Sequence, residues 1–309
     1  MKILACNGNI PIAKDIAKLL GAELISSDIS RFADGEISLQ INESVENDDI
    51  YVVQSMGFPA NENIMELLIT MDALKRASAT KIVAVVPYLA YCRQDRKLEK
   101  KPAISAKLLA NLISASGTDR VITLDIHTEQ IQGFFDIPLD NLYGGILFAK
   151  YIRDRAGGNP LIIAPDAGSI ARCRFVATKL GTKLVTIDKQ RNENRNKPIM
   201  KLIGDVKDKD CIIVDDIVDS GRTLTEAAKI ALKNGAKSVN AYVTHGVLSG
   251  DSIERIRDSC IENLYLTNSI NISQKVETIE KIKIINAAPL FAQAIRNVSV
   301  GGSVSTLFN

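Results

Sequence analysis

Short runs rich in isoleucine and valine recur along this chain at intervals of roughly 20 to 40 residues, and most show no polar alternation. A strand with one wet face carries a polar side chain at every second position, so runs without that rhythm belong to sheets covered by helices on both faces. The candidates are Ile3 to Cys6, Tyr51 to Gln54, Ile82 to Val86, Val121 to Leu124, Leu161 to Ala164, Leu184 to Ile187, Cys211 to Val214 and Val239 to Val243. Helical patterns lie between them. Ile64, Leu67, Leu68 and Met71 fall at i, i+3, i+4 and i+7 and predict one apolar helical face for core packing. Strands alternating with helices give an α/β chain with mostly parallel sheets.

With 309 residues the chain is long enough for about two domains. Gly144-Gly145 and Gly157-Gly158-Asn159-Pro160 flank a helical stretch, and each side carries its own strands and helices. A boundary near Leu142 is predicted, giving domains 1–142 and 143–309. The segment Ala287 to Arg296 reads as a last helix that could return to the first domain.

Charge and cysteine usage exclude several function classes. The 38 basic and 36 acidic side chains are spread along the chain, without the one-sided basic footprint that a nucleic-acid partner requires. Any anion bound should be small. No apolar run is long enough to span a bilayer, and only Ile3, Leu4 and Ala5 precede Cys6, too few for a lipoprotein signal. The five cysteines are odd in number, scattered, and form no Cys-x-x-Cys, so neither a disulfide framework nor a zinc site is expected. A reducing cytoplasm fits best.

The sharpest chemical signal is Cys211-Ile-Ile-Val-Asp215-Asp216-Ile-Val-Asp219-Ser220-Gly221-Arg222-Thr223, an apolar strand running into acidic residues and a small-residue turn. Thr223-Leu-Thr-Glu226 then has capping-box spacing and opens a helix. A turn at a helix N-terminus offers backbone N–H groups and the positive end of the dipole to a phosphate. Adjacent carboxylates there can accept sugar hydroxyls or hold metal-bound water; a solvated acidic turn is the plainer alternative. The absence of any Gly-x-Gly or Gly-Lys excludes the dinucleotide fingerprint, the kinase glycine loop and Walker A.

Other segments carry weaker signals. His127 and Asp166 each follow a strand, where open α/β sheets bind ligands, and both suit a phosphate-borne magnesium ion that keeps several waters. A hydrogen-bonded structural histidine remains the competing reading for His127, and the preferred one for His245. Lys189-Gln-Arg191-Asn-Glu-Asn-Arg195-Asn-Lys197-Pro198 is basic and lacks an apolar anchor, which suits a solvated loop or a lid bringing Lys189 and Arg191 onto charge at phosphorus. Pro87-Tyr88-Leu-Ala-Tyr91-Cys-Arg93-Gln94-Asp95-Arg96 pairs aromatics with arginines, suited to a base and phosphates. Arg31-Phe32-Ala-Asp34-Gly35-Glu36 combines an aromatic with carboxylates at a glycine turn.

In this order these segments, with Asp125-Ile-His-Thr-Glu-Gln-Ile-Gln-Gly-Phe-Phe135 and Ser303-Val-Ser-Thr-Leu-Phe308, resemble the ribose-phosphate diphosphokinases, or phosphoribosyl pyrophosphate synthetases, of the common bacterial and animal class. The resemblance spans essentially the whole chain. The acidic strand and turn alone would indicate only the wider phosphoribosyltransferase superfamily.

The resemblance implies two similar phosphoribosyltransferase-like domains, each a mostly parallel sheet flanked by helices. It implies that Phe32, Asp34, Gly35, Glu36, Arg93, Gln94 and Arg96 bind ATP, some of the first group acting from a neighbouring subunit. His127 and Asp166 would serve a Mg2+ site, Lys189 would be the catalytic lysine with Arg191 beside it, and Arg191, Asp215, Asp216, Asp219, Ser220, Gly221, Arg222 and Thr223 would hold ribose 5-phosphate. A homohexamer built from dimers is the implied assembly. The implied reaction passes the diphosphoryl group of Mg-ATP to the anomeric hydroxyl of ribose 5-phosphate. A phosphoribosyltransferase and a catalytically silent partner of the synthetase are the alternatives. Three positions depart from the pattern: Ser169 in Asp166-Ala-Gly-Ser169 stands for a second glycine, Cys92 for alanine, and Glu46 for an arginine associated with binding regulatory phosphate or ADP. A carboxylate at position 46 repels anions, so weakened or rewired phosphate and ADP control is expected.

Overall fold

The structure, a computed structural model, describes residues 1–97, 102–155, 160–190 and 199–308. They form two compact units. The first comprises Met1–Tyr143, Ser269–Asn271 and Asn286–Asn309, the second Gly144–Asn268 and Ile272–Ile285.

The first unit contains β1 (Lys2–Ala5), α1 (Ile10–Leu20), β2 (Glu23–Leu24), β3 (Ser27–Arg31), β4 (Ile37–Ile41), β5 (Asp49–Val53), α2 (Ala60–Arg76), β6 (Lys81–Val86), α3 (Ser105–Ala115), β7 (Arg120–Leu124) and β8 (Leu139–Leu142). The second contains α4 (Gly145–Arg155), β9 (Leu161–Ala164), α5 (Ile170–Leu180), β10 (Leu184–Gln190), β11 (Ile199–Ile203), β12 (Asp210–Val218), α6 (Arg222–Lys233), β13 (Ser238–Gly246), α7 (Ser252–Arg257), β14 (Leu264–Thr267), α8 (Ser273–Val276) and β15 (Ile282–Ile285). The chain ends on α9 (Ala288–Ser299) and a short 3-10 turn, both in the first unit.

The first sheet runs β2-β1-β5-β6-β7-β8 with every neighbour parallel. Its inner strands are almost wholly buried, Ile82–Val86 and Val121–Leu124 among them, which is why they carry no polar alternation. On α2 the apolar stripe Ile64, Leu67 and Met71 is buried as its spacing demands. Three polar residues, Asn63, Glu66 and Thr70, are buried on the same helix. α1 starts at Asn9, whose side chain accepts from the Ile12 N–H at 3.3 Å, and stops at Gly21 in the left-handed conformation. α9 packs on α1, and Asn286 donates to Asp15 at 3.0 Å.

The second sheet runs β11-β10-β9-β12-β13-β14-β15 and is parallel except for the β10–β11 pair. Phe148, Ile152, Cys173, Val176, Ile212, Val214 and Tyr242 form a core cluster, with Tyr242 stacked on Tyr265 at 4.3 Å. β12 is longer than the sequence suggested. Asp215 pairs in register with Val243 and Ile217 with His245, so the acidic pair lies within the strand and the turn begins only at Asp219. The buried His245 is a strand residue, in line with its structural reading.

Cys6, Cys92, Cys173 and Cys211 are buried, Cys260 is half-buried, and none forms a disulfide. Burial pushes the Cys6 thiol up to about 12 and Cys211 up to about 11, which leaves them poor nucleophiles. Among the described residues no helix is long and apolar enough to cross a membrane.

Candidate functional site

In the second unit the strand order reverses between β9 and β12, the switch point outside which open α/β sheets bind ligands. Asp166 follows β9 there, and Asp219–Thr223 follow β12. The Asp166 loop closes on itself: Ser169 N–H donates to Asp166 Oδ1 at 3.0 Å, and Ser169 Oγ donates to the Asp166 carbonyl at 2.8 Å. Ser169 thereby gives this loop a hydroxyl clasp that glycine cannot provide.

The turn after β12 leads into α6 with Gly221 as N-cap at φ 74°, a conformation suited to glycine. No side chain caps this helix, and it begins at Arg222, one residue before the expected Thr223 cap, so the Thr223–Glu226 capping box does not form. Thr225 instead donates to the Arg222 carbonyl at 3.2 Å. Leaving the first turn without a side-chain cap suits a phosphate as the partner of its N–H groups.

The carboxylates at this mouth are held differently. Asp216 is buried beside Arg172 at 3.4 Å, and its N–H donates to Asp215 Oδ1 at 3.0 Å. Asp215 is partly covered; burial first, and then the charge of Asp216, hold its carboxyl well above the ordinary range, against the pull of Arg172. Asp219 accepts from Ser249 Oγ, and Arg255 on α7 donates to the Ser220 carbonyl. Lys189 stands on β10 opposite Met200, while Arg191 and the rest of its basic segment to Pro198 lie outside the described residues.

In the first unit the switch point falls between β1 and β5 and is filled by the chain itself. Glu66, with no exposed surface, accepts from the Asn7 N–H at 2.6 Å, Asn7 Nδ2 at 3.1 Å, Gln54 Nε2 at 3.1 Å and Arg31 at 3.2 Å. A Cβ at Gly8 would lie 2.2 Å from the Ser55 carbonyl oxygen, so only glycine fits. The candidate nucleotide residues lie elsewhere. Phe32 to Glu36 form the tip of the β3–β4 hairpin, with Gly35 at φ 94°, Phe32 exposed, and Asp34 accepting from the Glu36 N–H at 3.0 Å. Arg31, just before it, is tied to Glu66.

Arg93, Gln94 and Arg96 follow β6, and His127 follows β7. Tyr88 is buried in the core, so it is not the base platform the sequence suggested. Tyr91, in the left-handed region at φ 62°, sends its hydroxyl to Asn61 at 2.6 Å. Gln94 accepts from Ser105 Oγ at 2.5 Å at the start of α3. Asp95 is buried and accepts from Thr128 Oγ1 at 2.7 Å and Gln130 Nε2 at 2.9 Å. Glu46 is exposed in the turn before β5, near Asp48, which is bound to Lys2 at 3.0 Å.

Sequence reasoning missed Glu66, Asp95, Arg172, Ser249 and Arg255. For Glu66 a signal existed: Asn63, Glu66 and Thr70 repeat at i, i+3 and i+7 beside the apolar stripe, a polar line on a buried face.

Among the described residues no group of three or more His, Cys, Asp and Glu could hold a metal ion by itself. Magnesium carried by a nucleotide takes most of its oxygens from phosphate and water, so a sparse donor set fits it. Asp166 matches that role: Oδ1 accepts from Ser169, and a carboxylate has a second oxygen able to accept from metal-bound water.

A model of the N-terminal domain of ribose phosphate pyrophosphokinase matches residues 1–117, and a model of the phosphoribosyl synthetase-associated domain matches residues 177–309. A ribose-phosphate pyrophosphokinase of Granulibacter bethesdensis is 48% identical over 310 residues, covering 100% of both chains. One from Campylobacter jejuni is 47% identical over 307 residues, covering 99% of this chain and 98% of its own. The crystal structure of phosphoribosylpyrophosphate synthetase from Mycobacterium smegmatis superposes with a TM-score of 0.91 at 36% identity, over 97% of this chain and 99% of that one.

Proposed function

This chain belongs to the ribose-phosphate pyrophosphokinase family, and from that membership we propose that it transfers the diphosphoryl group of Mg-ATP to the anomeric hydroxyl of ribose 5-phosphate, giving 5-phosphoribosyl 1-diphosphate and AMP. The supporting observation is the acidic strand β12 leading into the Gly221 cap of α6 at a switch point. The N–H groups of that turn, with Ser220, Arg222 and Thr223, hold the 5-phosphate, while Asp215, Asp216 and Asp219 accept from sugar hydroxyls. Phe32, Asp34, Gly35 and Glu36 take the adenosine side of ATP, and Arg93, Gln94 and Arg96 its polar side. The anomeric oxygen bonds to the β-phosphorus, the bond from that phosphorus to the oxygen bridging the α-phosphate breaks, and the hydroxyl proton passes to solvent. Displacement of this kind needs in-line positioning and charge neutralisation more than a covalent intermediate, and Lys189 and Arg191 supply the positive charge. When bound, magnesium neutralises phosphate charge, with His127 and Asp166 as the residues that would hold it or its waters. A homohexamer built from dimers in the cytoplasm, under weak phosphate and ADP control because of Glu46, completes the reading.

A phosphoribosyltransferase would use the same acidic turn, and a silent partner of the synthetase would keep the fold. One assay separates the proposed reading from both: purified protein with ATP, magnesium and ribose 5-phosphate, but no base, should release AMP in step with loss of the sugar phosphate. No AMP under these conditions overturns the reading.

A further inference from the structure

We infer that Asp95 is a positioning residue that ties the Arg93–Arg96 loop to the turn after His127, and so sets where the nucleotide phosphates are gripped. The inference rests on the proposed ATP role of Arg93 and Arg96. Asp95 lies between two residues of that loop and yet is itself buried. Its Oδ2 accepts from Thr128 Oγ1 at 2.7 Å and from Gln130 Nε2 at 2.9 Å, while Oδ1 faces Arg96 Nε at 3.4 Å. One carboxylate therefore spans two loops that leave neighbouring strands, β6 and β7.

Thr128 corroborates this from the other side. It is the N-cap of the 3-10 turn Glu129–Phe134, a position where threonine normally caps the helix with its own oxygen. Here no side-chain cap bond forms, and the hydroxyl donates to Asp95 instead. Thr128 directly follows His127, so the tie fixes the backbone that carries the imidazole. The Arg96 side chain is 63% exposed and its carboxylate neighbour 3% exposed, which orients the guanidinium without enclosing it. A buried carboxylate 3.4 Å from Nε biases the orientation of the guanidinium, and less order is then lost on meeting phosphate.

The test is calorimetric titration of full-length protein with Mg-ATP, without sugar phosphate so that nothing reacts, and separately with ribose 5-phosphate. Asp95→Asn removes the charge: its one oxygen can still accept from Thr128 and Gln130, but through weaker neutral bonds, and its NH2 then faces the Arg96 Nε–H. It should weaken Mg-ATP binding by roughly ten- to a hundredfold, the usual effect of removing a residue that orients a binding group, and leave ribose 5-phosphate binding within about twofold. Thr128→Val should move Mg-ATP affinity in the same direction, and the loss in the double variant should fall short of the product of the two single losses, because both act on one link. Unchanged Mg-ATP affinity in Asp95→Asn, equal losses for both ligands, or multiplying losses in the double variant overturns the inference. If Asp95→Asn does not fold, Thr128→Val decides alone: wild-type Mg-ATP affinity there overturns it. Arg96→Ala separates the two levels. Wild-type Mg-ATP affinity in Arg96→Ala overturns the ATP role of the loop and the inference with it, whereas a loss in Arg96→Ala with none in Asp95→Asn overturns the inference alone.

Discussion

Replacing Glu66 by glutamine tests how far the first unit depends on a carboxylate buried at its own switch point. Glu66 accepts from four donors, namely the Asn7 N–H, Asn7 Nδ2, Gln54 Nε2 and Arg31. Glutamine keeps one oxygen, which can still satisfy two of them, and turns an NH2 group towards the others. Each hydrogen bond to a charged group contributes about 1.5–3 kcal/mol, so two lost at the lower figure cost about 3 kcal/mol. Breaking a buried ion pair costs about 3–5 kcal/mol. Arg31 is 31% exposed and has Glu62 at 3.5 Å as a second partner, so water and Glu62 offset part of its loss and the lower end applies. A loss of about 3 kcal/mol should lower the melting temperature of this unit by about 6–12 °C. The chain has no tryptophan, so differential calorimetry or far-ultraviolet circular dichroism is the suitable probe. Hydrogen exchange should quicken in the Asn7–Ile12 segment and in the β3–β4 hairpin. A drop of less than about 2 °C, or faster exchange confined to the second unit, would refute the reasoning.

Lys189→Ala should lower turnover at least about a hundredfold with Mg-ATP affinity nearly unchanged, since a contact made only in the transition state adds little to ground-state binding; single-turnover kinetics beside calorimetry checks both halves. Asp219→Asn should weaken ribose 5-phosphate binding far more than Mg-ATP binding because it loses a charged acceptor at the strand mouth, and equal losses would show the residue misassigned. Asp215→Asn should stabilise the second unit near neutral pH while impairing sugar binding. The raised pKa of Asp215 means that ionising it costs the folded state, a penalty absent where the acid is protonated both folded and unfolded, and growing as pH rises from the ordinary carboxylate range through the raised value. Calorimetric melting of wild type and variant across about pH 4 to 8 should show the gain increasing with pH, and a gain independent of pH counts against it.

The sheets were legible because burial on both faces leaves a compositional trace. Leu161–Ala164 is a strand in sequence and structure alike, since all four residues are buried. The edges were not legible. β2 has two exposed residues, β3 and β4 mix polar and apolar ones, and β8 contains Asp140 and Asn141, so none carries a continuous apolar run. The end of β12 was misread for a related reason. Carboxylates look like a strand terminus, but parallel pairing with β13 continues to Val218, whatever the side chains. At the candidate site, the glycine turn could be read from its small residues. Asp95, Arg172 and Ser249 could not, because their roles come from partners dozens of residues away, at Thr128, Asp216 and Asp219.

The first unit is not a contiguous piece of chain, and that bears on its synthesis. Its N-terminal portion ends at Tyr143, yet Ser55 Oγ donates to the Ser269 carbonyl at 2.6 Å, Arg296 donates to the Leu19 carbonyl at 3.2 Å, and α1 packs on α9. The surface of α1 that meets α9 therefore waits for residues made about 140 to 160 positions after Tyr143. At about 5–20 residues per second that interval is roughly 7 to 30 s, during which the whole second unit is synthesised. The half-finished unit carries apolar surface through that time, so its burden on chaperones should scale with translation speed over residues 144–285 more than with the stability of the finished protein.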